Sequence, residues 1–220
     1  MNASAKIAAP IDELESVINT EELSRRPSRA PDYAAESRIL ASLAQGMEHS
    51  PELILQNLAQ AALKSCRAGS AGISLIEEDG KHVRWHALAG ELASQLWGTT
   101  PRSFSPCGTV VERNSIHLFS HLARHFKYFA GVKPSIVEAL LVPFSFGKSP
   151  GTIWVVAHDD QRRFDAEDAR LIDDLGRFAA AAYRIRSSLA LAEQASRRED
   201  EFLAMLVQGL QRGLGGIGAA

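Results

Sequence analysis

The chain has 220 residues, 45% hydrophobic and 23% charged, with a formal net charge of −2 and a pI near 6.4. That length supports one substantial core plus an accessory segment, and the charge removes any bulk attraction to nucleic acid or to an anionic membrane. No apolar run reaches the ~18–20 residues needed to cross a bilayer, the start lacks a secretory apolar stretch, and two cysteines make no disulfide framework, so a cytoplasmic protein with no membrane partner is expected.

Residues 1–32 mix Ala, Pro, Ser and charge and end in RRPSRAP, which reads as a mobile arm with one short helix around IDELESVI. Two helical patterns follow. In the first, Ile39, Leu40, Leu43 and Met47 share a face. In the second, Ser50 is placed as N-cap with Pro51 at the first helical position, and Leu55, Leu58, Ala62 and Cys66 form a stripe. Cys66 on that stripe is expected to pack rather than react.

After Gly69 the period falls to two. AGISLIEEDGKHVRWHALAG reads as strand, Asp-Gly turn, strand, with Val83, Trp85 and Ala87 on one face. Residues 91–138 are irregular, with a small strand at IHLFS. A second hairpin follows, ALLVPFSF and TIWVVAH about a GKSPG turn, apolar on both faces as in a covered sheet. Pro143 in its first strand demands a bulge or break. From Asp165, a plausible N-cap, one long helix begins. Its stripe of Leu171, Leu175, Phe178, Ala182, Ile185, Leu189, Ala192, Leu203, Leu206 and Leu210 keeps heptad spacing, broken by Ser196 and Glu199. A stripe that long implies a dimeric coiled coil, and these residues are the expected interface.

The segment FSPCGTVVERNSIHLFSHLARH concentrates the candidate chemistry. Ser105 and Pro106 open a helix that puts Cys107 in its first turn, where free N–H groups favour a thiolate. The competing reading is a small buried hydrophobe. His121 and His125, four apart, would share one face if helical, as metal-ligand pairs do. No Cys-x-x-Cys or His-Glu-x-x-His pattern accompanies them, so no metal is assigned.

The order of two helices, hairpin, loop-rich middle, second hairpin and exit helix resembles a GAF domain. LLVPF…GTIWVVAH…RRFDAEDARLI…LGRFAAAA, within residues 139–183, carries the resemblance, and FSPCGTVVERN is similar to GAF domains of bacterial sensor histidine kinases. It implies an α+β fold: an antiparallel sheet with flanking helices and a long C-terminal coiled-coil helix. The divisions are an arm at 1–32, a sensory domain at 33–183, a dimerising signalling helix at 184–212 and a flexible tail at 213–220. It also implies a ligand between the sheet and residues 91–138, lined by Trp85, His86, Phe104, Cys107, His121, His125, Tyr128 and Trp154. The family binds cyclic nucleotides, bilins, haem and iron, and none is required here: the cyclic-nucleotide Asn-Lys pair and the bilin Asp-Ile-Pro motif are missing, leaving haem, bilin or metal as minor alternatives. RREDEFLAMLVQGLQRGL resembles the start of a histidine-kinase dimerisation helix, with Gln208 at the phosphoacceptor position. An amide cannot take up a phosphoryl group as an imidazole does, so no enzyme is expected. The functional expectation is a ligand- or redox-sensing module that relays through a homodimeric helix to a histidine kinase or response regulator. The alternative is an adaptor that regulates a kinase in trans without a ligand.

Overall fold

The computed structural model describes residues 11–49, 53–95 and 98–215. Helices α1 (Ile11–Glu15) and α2 (Glu22–Arg25) precede α3 (Tyr33–His49) and α4 (Ile54–Ser65). A six-stranded antiparallel sheet follows, built from β1 (Ser70–Ile76), β2 (His82–Gly90), β3 (Thr99–Pro101), β4 (His117–Ser120), β5 (Glu138–Phe146) and β6 (Ser149–Ala157). Helix α5 (Pro106–Arg113) lies between β3 and β4, and α6 (Ala166–Gly215) closes the chain. The strands run in the order β3-β2-β1-β6-β5-β4, so each expected hairpin pairs as read and β1 joins β6 at the centre.

The two faces of the sheet hold different cores. Leu58 and Ala62 of the expected stripe are buried on α4, which packs over β1 and β2, and Cys66 is buried at the helix end; Leu55 is only half-buried, and Ile54 and Ala59 are buried beside them. Ser50 and Pro51 lie outside the described residues. The other face gathers Ile76, Val83, Leu88, Phe119, Leu141, Trp154 and Val156 under α5 and the loops. Pro143 needs neither bulge nor break: it stays in register opposite Thr152, and β4 pairs β5 only as far as Leu141, so the missing N–H meets an open edge.

The bulge falls in the first hairpin instead. Ile73 pairs with Ala87 and Ser74 with Trp85, which leaves His86 as the extra residue and reverses the alternation beyond it. Val83 and Trp85 therefore pack on the loop-covered core, where Leu88 replaces the expected Ala87.

Residues 11–32 do not form a detached arm. Ile18 bridges Phe119, the Asn19 N–H donates to the Leu118 carbonyl at 2.7 Å, and the Ser120 N–H donates to Val17 at 2.9 Å. Val17 is fully buried in the core beneath. Farther along, Arg26 grips the buried Glu138 carboxylate through both terminal nitrogens, each at 2.9 Å. Arg29 reaches Asp168 at 2.9 Å, and its backbone N–H donates to Asp165 at 3.1 Å. Sparse anchors within a polar composition hold this segment, which is why its overall composition misleads.

Asp165 caps α6 as expected: its carboxylate accepts the Asp168 N–H at 2.9 Å, and Asp168 returns the bond to the Asp165 N–H at 3.0 Å. The chain divides into two compact units, Met1–Ala181 and Ala182–Ala220. Within the first, Leu171 and Leu175 are buried in their own domain, with Ile172 and Ala179 beside them, and Phe178 is half-buried. Leu171 and Leu175 are therefore not free for a partner, since the first part of the stripe covers the sheet. In the second unit Ile185 and Leu189 are 64% and 55% exposed, Ala192 is exposed and Ala182 half-buried. The backbone is helical at Leu203, Leu206, Gln208 and Leu210, whose side chains lie outside the described residues. Residues 213–215, expected in a flexible tail, are helical too, and 216–220 lie outside the described residues.

Candidate functional site

The candidate site is a cavity of about 30 Å³ between the sheet and the loop-rich segment. Its floor is Ala139, Leu141, Trp154 and Val156 from β5 and β6, with Trp85 from β2. Pro106 and Cys107 at the start of α5 and Leu92, Leu122, Phe129 and Ile136 from the loops close it. That volume holds about two water-sized molecules.

Small residues on β1 make the floor. A side chain on Gly72 would collide with the Trp154 ring and with Leu88, so glycine lets the indole lie flat across the strand. The Trp154 Nε1–H donates to the Ser74 hydroxyl at 2.8 Å, which satisfies the only polar atom of that ring. Trp85 meets Trp154 edge to face, with centroids 6.2 Å apart. Because the bulge at His86 sets the phase of β2, it is the device that turns Trp85 into the cavity.

Cys107 sits where the sequence places it. Ser105 caps α5 by accepting the Gly108 N–H at 3.0 Å, and Pro106 occupies the first turn. Its environment is nevertheless the opposite of a thiolate site. Cys107 is 7% exposed, and burial pushes its thiol up, outweighing the opposite influence of the neighbouring Thr152 and Ser74 hydroxyls. Desolvation thus outweighs the helix N-terminus. Cys66 is also pushed up by burial, with Asp168 adding to the effect. Both cysteines are free, and they lie under opposite faces of the sheet.

Of the eight residues expected to line the pocket, Trp85, Cys107 and Trp154 do so. His86 instead stands beside Glu77, 3.8 Å away. His121 is exposed, with a left-handed φ of 52° at the head of a short turn, Leu122–Arg124, while His125 follows that turn and is buried. The expected shared helical face does not exist, because the left-handed residue sends the two rings apart. The His125 ring packs on Phe104 and Phe126, with centroids at 5.2 and 4.6 Å, and burial holds it below the ordinary histidine range. Phe104 and Tyr128 belong to this aromatic cluster rather than to the cavity wall. Among the described residues no group of three or more His, Cys, Asp or Glu is placed to hold a metal ion. No described helix is long and apolar enough to cross a membrane.

Sequence reasoning missed Gly72, Ser74, Leu92 and Ile136. The first two carried a signal: small residues alternate with Ala71, Ile73 and Leu75 along β1, which leaves one face room for a large ring.

Comparison with known proteins agrees with this architecture. The family model described as GAF domain matches residues 48–183, well over half of the chain. No curated protein matches the sequence. Among solved structures, the GAF domain of the Acinetobacter phosphoenolpyruvate-protein phosphotransferase aligns with a TM-score of 0.57 at 15% identity, covering 72% of this chain and 97% of that one. The second GAF domain of DevS from Mycobacterium smegmatis aligns at 0.54 and 18% identity, covering 65% and 99%. The free methionine-R-sulfoxide reductase of Neisseria meningitidis, in complex with its substrate, aligns at 0.56 and 16% identity, covering 72% and 94%. At these identities the likeness is one of fold.

Proposed function

The chain belongs to the GAF domain family, and from that premise we propose that it is a sensory module of signal transduction. Its cavity takes a small, largely apolar ligand, and α6 passes the bound state on as a dimeric coiled coil. The observation that carries this reading is the apolar chamber lined by Trp85, Trp154 and Cys107 between the sheet and the loops, which must widen to admit anything larger than about two waters. The Trp154 Nε1–H is already engaged by Ser74 and the lining is apolar, so shape and apolar contact would select the ligand, with the unpartnered Thr152 hydroxyl beside Cys107 as a spare polar group near it. The exposed Ile185 and Leu189 supply the seam for a second copy, with the weak layer at Ser196 and Glu199 as the place where two packings are close in energy. The partner is a histidine kinase or response regulator in the cytoplasm, by resemblance of residues 197–214 to a kinase dimerisation helix that carries Gln208 where a phosphoacceptor belongs. A catalytic role is not proposed. Two buried thiols under opposite sheet faces suit neither a redox pair nor the reductase chemistry of the Neisseria protein, and they weigh against redox sensing.

The second reading is a ligand-free adaptor that pairs with a kinase, and the modest volume of the cavity favours it. Native mass spectrometry and absorption spectra of the purified chain, with indole and benzene as added probes, separate the two. A stoichiometric small adduct, or saturable probe binding that changes tryptophan emission and is lost in Ala139→Phe, is the expected result. A bare mass with emission unmoved by either probe would leave the adaptor reading standing.

A further inference from the structure

A second and larger hollow, of about 480 Å³, opens where the N-terminal segment, α3, the end of α4 and the start of α6 meet. Its lining is charged, but the charges are not equally engaged. The acids are already in use: Glu36 and Glu167 both grip Arg170, at 2.8 and 2.7 Å, and Asp32 accepts the Ala35 N–H at 2.9 Å to cap α3. The donors are left over. Arg29 spends one terminal nitrogen on Asp168, yet its Nε is buried without a hydrogen-bond partner, and so is the Ser65 hydroxyl. Lys64 and Arg67 stand exposed at the rim, with no ion pair among the described residues. Buried donors without acceptors are rare and call for a missing group.

We propose that this hollow binds a small oxyanion, a carboxylate or a phosphate, through Arg29 Nε, Ser65, Lys64 and Arg67. A planar or tetrahedral group of oxygens offers several acceptors at once to the donors that line the hollow. The site stands apart from the apolar cavity, and it does not depend on the sensory reading of that cavity. It touches the signalling helix directly, because Arg29 also holds Asp168 and Asp165 at the first turn of α6. An anion drawing on Arg29 would therefore compete for, or stiffen, the cap of that helix.

Amide NMR of the full chain, titrated with inorganic phosphate, with succinate, and with sodium chloride at matched ionic strength, tests the site. Saturating shifts near residues 29–36 and 64–67 are expected with at least one oxyanion, and the one that saturates identifies the source. The double variant Lys64→Glu/Arg67→Glu should weaken the affinity by about ten-fold or more. Lys64→Gln/Arg67→Gln serves as the milder pair if the spectrum of the first shows misfolding. Shifts that chloride reproduces, or that survive the variant with unchanged affinity, overturn the proposal.

Discussion

At the scale of single residues, Cys107 shows how far local sequence logic reaches. The Ser-Pro helix start is legible in six letters, and the cap forms as read. What the letters cannot carry is the depth of the site, set by strands up to about fifty residues away in sequence. Depth decides the chemistry, since the thiol ends up above its ordinary range rather than below it. At pH 8, iodoacetamide should modify both cysteines of the folded chain at about a tenth or less of the rate in denaturant, followed by mass spectrometry. A fast, selective reaction at Cys107 would restore the thiolate reading. His121 and His125 teach the same lesson through the backbone. Their spacing is visible in the sequence, but the left-handed conformation at His121 is not, since nothing in SHLARH demands it.

At the scale of elements, periodic segments were legible and aperiodic ones were not. Both hairpins, α4 and the capped start of α6 follow from apolar spacing and turn residues, because each buries a continuous face. The β2 bulge leaves no such trace, since one extra residue in an alternating strand merely exchanges which neighbours share a face. The N-terminal segment was missed for a different reason: its energy sits in a few long-range contacts. Chief among them is Arg26, which together with Arg163 surrounds the buried Glu138 carboxylate. Arg26→Ala leaves that charge to Arg163 and the Phe164 N–H, and a loss of about 2 kcal/mol is expected from urea unfolding. A loss under about 0.5 kcal/mol, typical of a surface pair, would mean that the segment is not fastened as described.

At the scale of the whole molecule, α6 carries one apolar stripe through two different surroundings. Leu175 is a core residue of the first unit, whereas Leu189 is more than half exposed in the second. The two should therefore respond differently to truncation. Leu175→Ala should cost about 2–5 kcal/mol of domain stability. Ile185→Asn with Leu189→Asn should leave the urea midpoint of the domain alone and shift sedimentation from dimer toward monomer. Sedimentation unchanged by the asparagine pair would remove the coiled-coil half of the proposed function. The fastening of the N-terminal segment also bears on synthesis. Arg26 and Arg29 find their partners 112 and 139 residues later. A chain emerging from the ribosome must carry these two arginines without those partners until β5 and the start of α6 have appeared. Closure of the domain is thus a late event, because Arg26 and Arg29 wait for partners made more than a hundred residues after them.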